Sequence, residues 1–211
     1  MKCLILIFLF CSAMVFSQQK RFSCCFFGTK LYDKPSEGSR LMDSIPFGDS
    51  VEFVSTHKKE ESILSKSGFP LKSHWVCVSY KNKKGYVFGA DLSSKRVEAS
   101  LFEAENPGYL GKLIERRIID VGTVENFGSG YRVSRYFDGC EDEEIVLRGY
   151  SLNEVYHILI RSYSDITGSE FPLYSGQVET KFHFGGVGAT IVISLEPLPQ
   201  EQFRITSYAC D

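Results

Sequence analysis

The chain has 211 residues, 43% hydrophobic and 24% charged, with a formal net charge of -2. That length allows one large domain or two small ones, and the composition argues against a mostly disordered chain. The charge is unevenly placed: residues 28–96 carry 12 Lys+Arg against 8 Asp+Glu, whereas residues 97–211 carry 9 against 18. The split puts a domain boundary near Arg96, and so dilute a basic excess argues against nucleic-acid binding.

Met1-Lys2 gives a positive start, Cys3 to Phe16 is an almost unbroken apolar run, and Val15 and Ser17 occupy the small-residue positions of a cleavage site. Residues 1–17 are therefore expected to be a secretory signal peptide, too short for a comfortable membrane span. Cleavage would leave an extracytoplasmic protein, periplasmic or secreted, with no stable membrane span. Cys11 follows Phe8-Leu9-Phe10, a poor lipid-anchor signal.

Five cysteines remain after cleavage: Cys24, Cys25, Cys77, Cys140 and Cys210. In an oxidising compartment some should pair, and the two in the second half, Cys140 and Cys210, are predicted to form a disulfide tying the carboxyl terminus to the body. Cys77 is free to pair with Cys24 or Cys25. None has metal-ligand spacing, so no metal and no cofactor are expected.

Residues 28–92 read as short strands and tight turns. Thr29 to Tyr32 starts a strand, Asp33 to Gly38 is a turn cluster, Leu41 to Ile45 is a second strand and Pro46 to Asp49 a second turn. Val51 to Ser55 alternates as a half-buried strand, followed by a hydrophilic excursion from Thr56 to His74 that is too long and too charged for core. Trp75 to Tyr80 is a strand with Val76 and Val78 on one face and Trp75 on the other, turning at Lys81 to Gly85 into Tyr86-Val87-Phe88. Five short strands with tight corners are expected to close into a small barrel.

Three segments carry a resemblance: Leu31 to Ser36, Leu41 to Val51 with its Ile45-Pro46-Phe47-Gly48, and Trp75 to Val87 with its Gly85-Tyr86-Val87. In that order they resemble the bacterial SH3-like (Src-homology-3-like, SH3b-type) domain, over about a third of the chain. Tyr32 and Asp33 depart from the residues frequent there, and the 56–74 insert is longer than usual. The resemblance implies a small SH3-like β-barrel over residues 28–96. It also implies a non-catalytic role in binding a cell-wall (peptidoglycan) peptide or a protein partner. A ligand strip would be aromatic, since rings give large apolar area at low entropy cost, and the candidates are Trp75, Tyr32, Tyr80, Phe47 and Tyr86. Trp75 is placed first because its alternation faces it outward or across the insert; the bland placement for these rings is barrel core.

Residues 97–110 read as a linker, and residues 111–211 as an α+β domain. Lys112 to Val121 and Tyr131 to Phe137 are expected strands, and the acidic run Asp138 to Glu144 is expected to be a solvated loop, lacking the spacing of a calcium loop. Ser151-Leu152-Asn153-Glu154 is a capping box. Leu152, Val155, Tyr156, Leu159, Ile160 and Tyr163 behind it recur at helical spacing, so a helix is expected over residues 151–163, with His157 at the surface. It should pack on an antiparallel sheet of Val178 to Phe184, Ala189 to Leu195 and Phe203 to Ala209, with Gly185 to Gly188 as a hairpin turn rather than a phosphate loop.

The expected class is mainly β, and the expected function is an exported binding protein without catalysis. The alternatives are a structural protein of an envelope or secreted assembly using the acidic second part, or a hydrolase with its site in residues 111–211.

Overall fold

The computed structural model describes residues 19–97, 107–165, 167–188 and 190–210. The expected signal peptide and most of the expected linker lie outside the described residues. The chain is mainly β, in two antiparallel sheets of which one is a curled half-barrel, and no helix among the described residues is long and apolar enough to cross a membrane.

The curled sheet comprises β1 (Lys20–Ser23), β2 (Thr29–Tyr32), β3 (Leu41–Ile45), β4 (Ser50–Leu64), β5 (Pro70–Tyr80), β6 (Lys83–Phe88) and β7 (Leu92–Ser93), in the order β3-β2-β6-β5-β4-β1-β7. Its inside is a compact cluster of Leu31, Ile45, Val51, Val76, Val78 and Tyr80, among others. The β5–β6 turn is shorter than the expected 81–85: Tyr80 pairs with Lys83, and Lys81 and Asn82 alone turn the chain, both at positive φ. Two such residues match the twist of the flanking strands. Gly85 instead lies inside β6, where a Cβ would stand 2.6 Å from the Tyr32 carbonyl, so its missing side chain lets β2 approach.

The second sheet comprises β8 (Leu113–Ile119), β9 (Gly122–Phe127), β10 (Gly130–Phe137), β11 (Cys140–Arg148), β12 (Leu173–Val178), β13 (Lys181–Gly185), β14 (Thr190–Leu198) and β15 (Gln202–Cys210). Its order is β12-β13-β14-β15-β11-β10-β9-β8. Cys140 and Cys210 face each other across β11 and β15 and are disulfide-bonded, as the sequence predicts. A disulfide is consistent with an oxidising, extracytoplasmic compartment. Cys24, Cys25 and Cys77 are free.

Four local expectations are corrected. The 56–74 excursion is the far end of a β4–β5 hairpin, and it does reach core: Phe69 and Leu71 are buried, because the hairpin folds over the helix instead of projecting into water. Residues 178–184 are no single strand, since Glu179, at positive φ, turns β12 into β13. The acidic run is mostly strand: residues 141–144 lie in β11, where Arg132, Arg135 and Arg204 sit beside their carboxylates. Lastly, His157 is buried in helix α1 (Leu152–Tyr163), not at the surface.

That last difference follows from where the helix lies. Val155 to Ile160 are buried without interruption, so α1 is enclosed on every side through its middle. It is wedged between the sheets, and one apolar cluster runs through the junction, from Phe69, Trp75 and Phe88 through Tyr156 and Leu159 to Ile193 and Ile205. An apolar stripe predicts one buried face; burial of the other face comes from the second sheet.

Candidate functional site

The helix is fixed at its start by side-chain capping. The Ser151 hydroxyl accepts from the Glu154 amide and the Glu154 carboxylate accepts from the Ser151 amide, closing the capping box. Its first turns are then tied to the curled sheet: Ser93 donates to Glu154, Asn153 donates to the Lys72 carbonyl at 3.0 Å, and the Tyr156 and Ser67 hydroxyls share a hydrogen bond of 2.9 Å. His157, the sixth residue of the helix, is thereby set beside Asp91.

Asp91 ends a 3₁₀ turn, Gly89–Asp91, that follows β6. Its carbonyl accepts from the Cys24 amide at 2.9 Å and from the Thr29 hydroxyl at 3.3 Å, which holds the segment after β1 alongside the turn. Cys24 points its thiol at the Ala90 carbonyl, 3.8 Å away. Cys25 contributes to a different place, a three-residue cluster in which one ligand atom each from Cys25, Asp91 and His157 lies within 4.8 Å of the others.

All three residues of this cluster line a cavity of about 310 Å³ that lies between the curled sheet, the β4–β5 hairpin and the helix. The apolar walls include Trp75, Tyr32, Phe88, Leu71, Tyr156 and Ile160, and Lys30, Glu37 and Lys66 stand among the exposed lining residues. Trp75 is held by edge-on contacts to Tyr32 at 5.7 Å and Phe88 at 5.6 Å between ring centres, and its indole N–H donates to Glu61 at 2.9 Å. That bond is the main reason the Glu61 carboxyl sits below its usual range. Lys66 lies over the rings of Phe27 at 4.0 Å and Phe171 at 4.7 Å.

Of the five aromatics singled out from sequence, the structure sets Trp75 and Tyr32 on the cavity wall, pairs Tyr86 with Tyr32 across β2 and β6, and leaves Tyr80 and Phe47 apart from them. Trp75 does face away from Val76 and Val78 and across the insert, but it is only 1% exposed, because the helix and hairpin cover that face. An open aromatic strip on the barrel exterior is thus replaced by an enclosed wall. Tyr80 belongs to the inner cluster and donates to Asp49 at 2.6 Å. Phe47 is half-buried with its ring 6.5 Å from Phe26, and Tyr86 is half-buried against the shared core. Cys25, Asp91 and His157 carried no sequence signal, since they lie in three distant segments; a histidine on a helix whose neighbours are all apolar was the one available hint.

The chemistry of the cluster is unusual in one respect. The Nε2 of His157 stands 3.3 Å from a carboxylate oxygen of Asp91 without the alignment of a hydrogen bond, and it has no hydrogen-bond partner although it is buried. Burial, and then the charge of Asp91, push the Cys25 thiol far up. A reactive cysteine needs the opposite surroundings, so Cys25 is not set up as a nucleophile here.

A second hollow lies against the second sheet near the last residue of α1, lined by Arg132, Glu125, Glu141, Glu143, Tyr163 and Ser207 among others. Here the buried charges are paired. Glu125, 2% exposed, accepts from Arg116 and Arg132 at 2.6 Å each, and Tyr163 donates to Glu143 at 2.8 Å. Burial raises the Glu143 carboxyl above its usual range despite the Tyr163 hydrogen bond and the nearby Arg132.

Comparisons with protein-family models, with curated proteins and with solved structures each find no match to this chain.

Proposed function

We propose that this chain is an exported binding protein, without catalysis of its own, which takes part of a peptide or cell-wall component into the Trp75–Tyr32 cavity. The observation that carries the reading is the cavity itself: its volume falls in the range of small-ligand sites, its walls are aromatic and aliphatic, and a few polar groups lie together among them. Lys30 and Lys66 add a cationic mouth suited to a carboxylate-bearing ligand. The SH3-like reading of residues 28–96 belongs to the same proposal and rests on the sequence resemblance of its three segments. Export is supported by the leader-like start and by the disulfide, with a periplasmic or secreted destination.

Trp75 is the chain's only tryptophan, so its fluorescence reports directly on the cavity. Titration with soluble peptidoglycan fragments and with short peptides should give a saturable change, abolished by Ile63→Phe, which fills the cavity from a half-buried lining position. No change with either ligand class, or binding indifferent to Ile63→Phe, would refute the proposal. Binding that instead depends on acidic residues of the second sheet would favour an assembly role.

One observation favours a hydrolase as second reading: the Glu143 carboxyl, raised by burial, is of the kind that serves as a general acid. Cleavage of wall fragments by the full chain, lost in Glu143→Gln, is its test.

A further inference from the structure

The geometry points to a zinc site formed by Cys25, Asp91 and His157 on the wall of the cavity, with a fourth coordination position opening onto it. Three observations support it. The first is donor chemistry: a thiolate, an imidazole and a carboxylate are the ligand types of zinc, and three protein ligands with an open position describe its accessible sites.

The second is spacing. With zinc to nitrogen or oxygen at about 2.0–2.2 Å and zinc to sulfur at about 2.3 Å, the ligand atoms of a tetrahedral site stand about 3.3–3.6 Å apart. The His157 to Asp91 separation is already 3.3 Å, and all three atoms lie within 4.8 Å, so a small side-chain rotation at Cys25 completes the set.

The third is the unpartnered imidazole nitrogen. A buried nitrogen close to a carboxylate oxygen without hydrogen-bond alignment leaves a polar group uncompensated. Two ligands aimed at one ion between them have this arrangement. Coordination is also balanced in charge: zinc displaces the Cys25 proton to solvent, and the dication then meets one thiolate and one carboxylate. The supporting backbone is rigid, since the Cys24 amide bond to the Asp91 carbonyl locks two of the three ligand segments together.

The site does not depend on what the cavity binds, so its test needs no peptide. The full chain, purified with a chelator and then freed of it, is titrated with cobalt(II) as a spectroscopic stand-in and then with zinc. One equivalent of cobalt should give a sulfur-to-cobalt charge-transfer band in the near ultraviolet, and zinc should displace it. Cys25→Ser should remove the band, and His157→Gln should weaken binding by at least about 100-fold, since even outer partners of a ligand are worth roughly 10- to 100-fold. Cys24→Ala should leave both intact, its thiol being engaged by Ala90. Absence of a band, binding without one through surface histidines, or a band that follows Cys24 instead of Cys25 would overturn the proposal. Should the variants fail to fold, the unaltered protein decides: zinc, and not magnesium, must slow alkylation of Cys25, and equal rates with and without zinc would overturn it.

Discussion

The two hollows, one under the curled sheet and one against the second sheet, bury polar groups in opposite ways. In the hollow of the second sheet, Glu125 sits between two guanidinium groups and Glu143 accepts from Tyr163, so each buried carboxylate is compensated within the chain. In the cavity under the curled sheet, the His157 nitrogen lacks a hydrogen bond and Cys25 and Asp91 crowd toward it. Burial of a polar group costs free energy unless something compensates it. Where the compensation lies within the chain, the arrangement holds the fold together; where it is missing, it leaves room for a ligand.

The largest test of this contrast is Glu125→Ala. It removes the buried carboxylate from between Arg116 and Arg132, and the loss of one partner from a buried ion pair should cost about 3 kcal/mol in urea denaturation. A negligible cost would mean that the second hollow is not structural and that the contrast fails. A smaller effect belongs to Tyr156→Phe, which removes the hydroxyl joining the helix to Ser67 of the hairpin; about 1 kcal/mol should be lost, with the Trp75 spectrum shifted because the cavity wall loosens. An unchanged spectrum would show that the hairpin holds the wall without the helix.

The smallest effect is one of pH. The folded chain binds the Glu143 proton more tightly than the unfolded chain does. Both forms hold it below the ordinary value of 4.5; as pH rises from there the unfolded chain releases it first, so the stabilising contribution is lost until the folded carboxyl has also ionised. Glu143→Gln should therefore flatten the fall in stability between mildly acidic and neutral pH. A steeper fall in the variant would contradict the assigned direction.

Much of this was legible locally. The residues of β2 and β3 are those the sequence marks, because turn residues bracket them closely. The helix start was readable from its capping box and the disulfide from the placement of two cysteines. Trp75 shows the limit. Its alternation against Val76 and Val78 is a property of any strand, whereas its exposure depends on a helix 77 residues further along.

His157 and Cys25 show the same limit at the site. Periodicity and capping act between residues a few positions apart, so the sequence by itself determined closely bracketed strands such as β2 and β3, the capped helix and the pairing of Cys140 with Cys210. Which faces meet is settled by long-range packing of apolar surfaces that carry no address. Only the tertiary structure could wedge α1 between two sheets, bury its histidine beside Asp91 and Cys25, and turn an expected aromatic strip into the wall of a cavity.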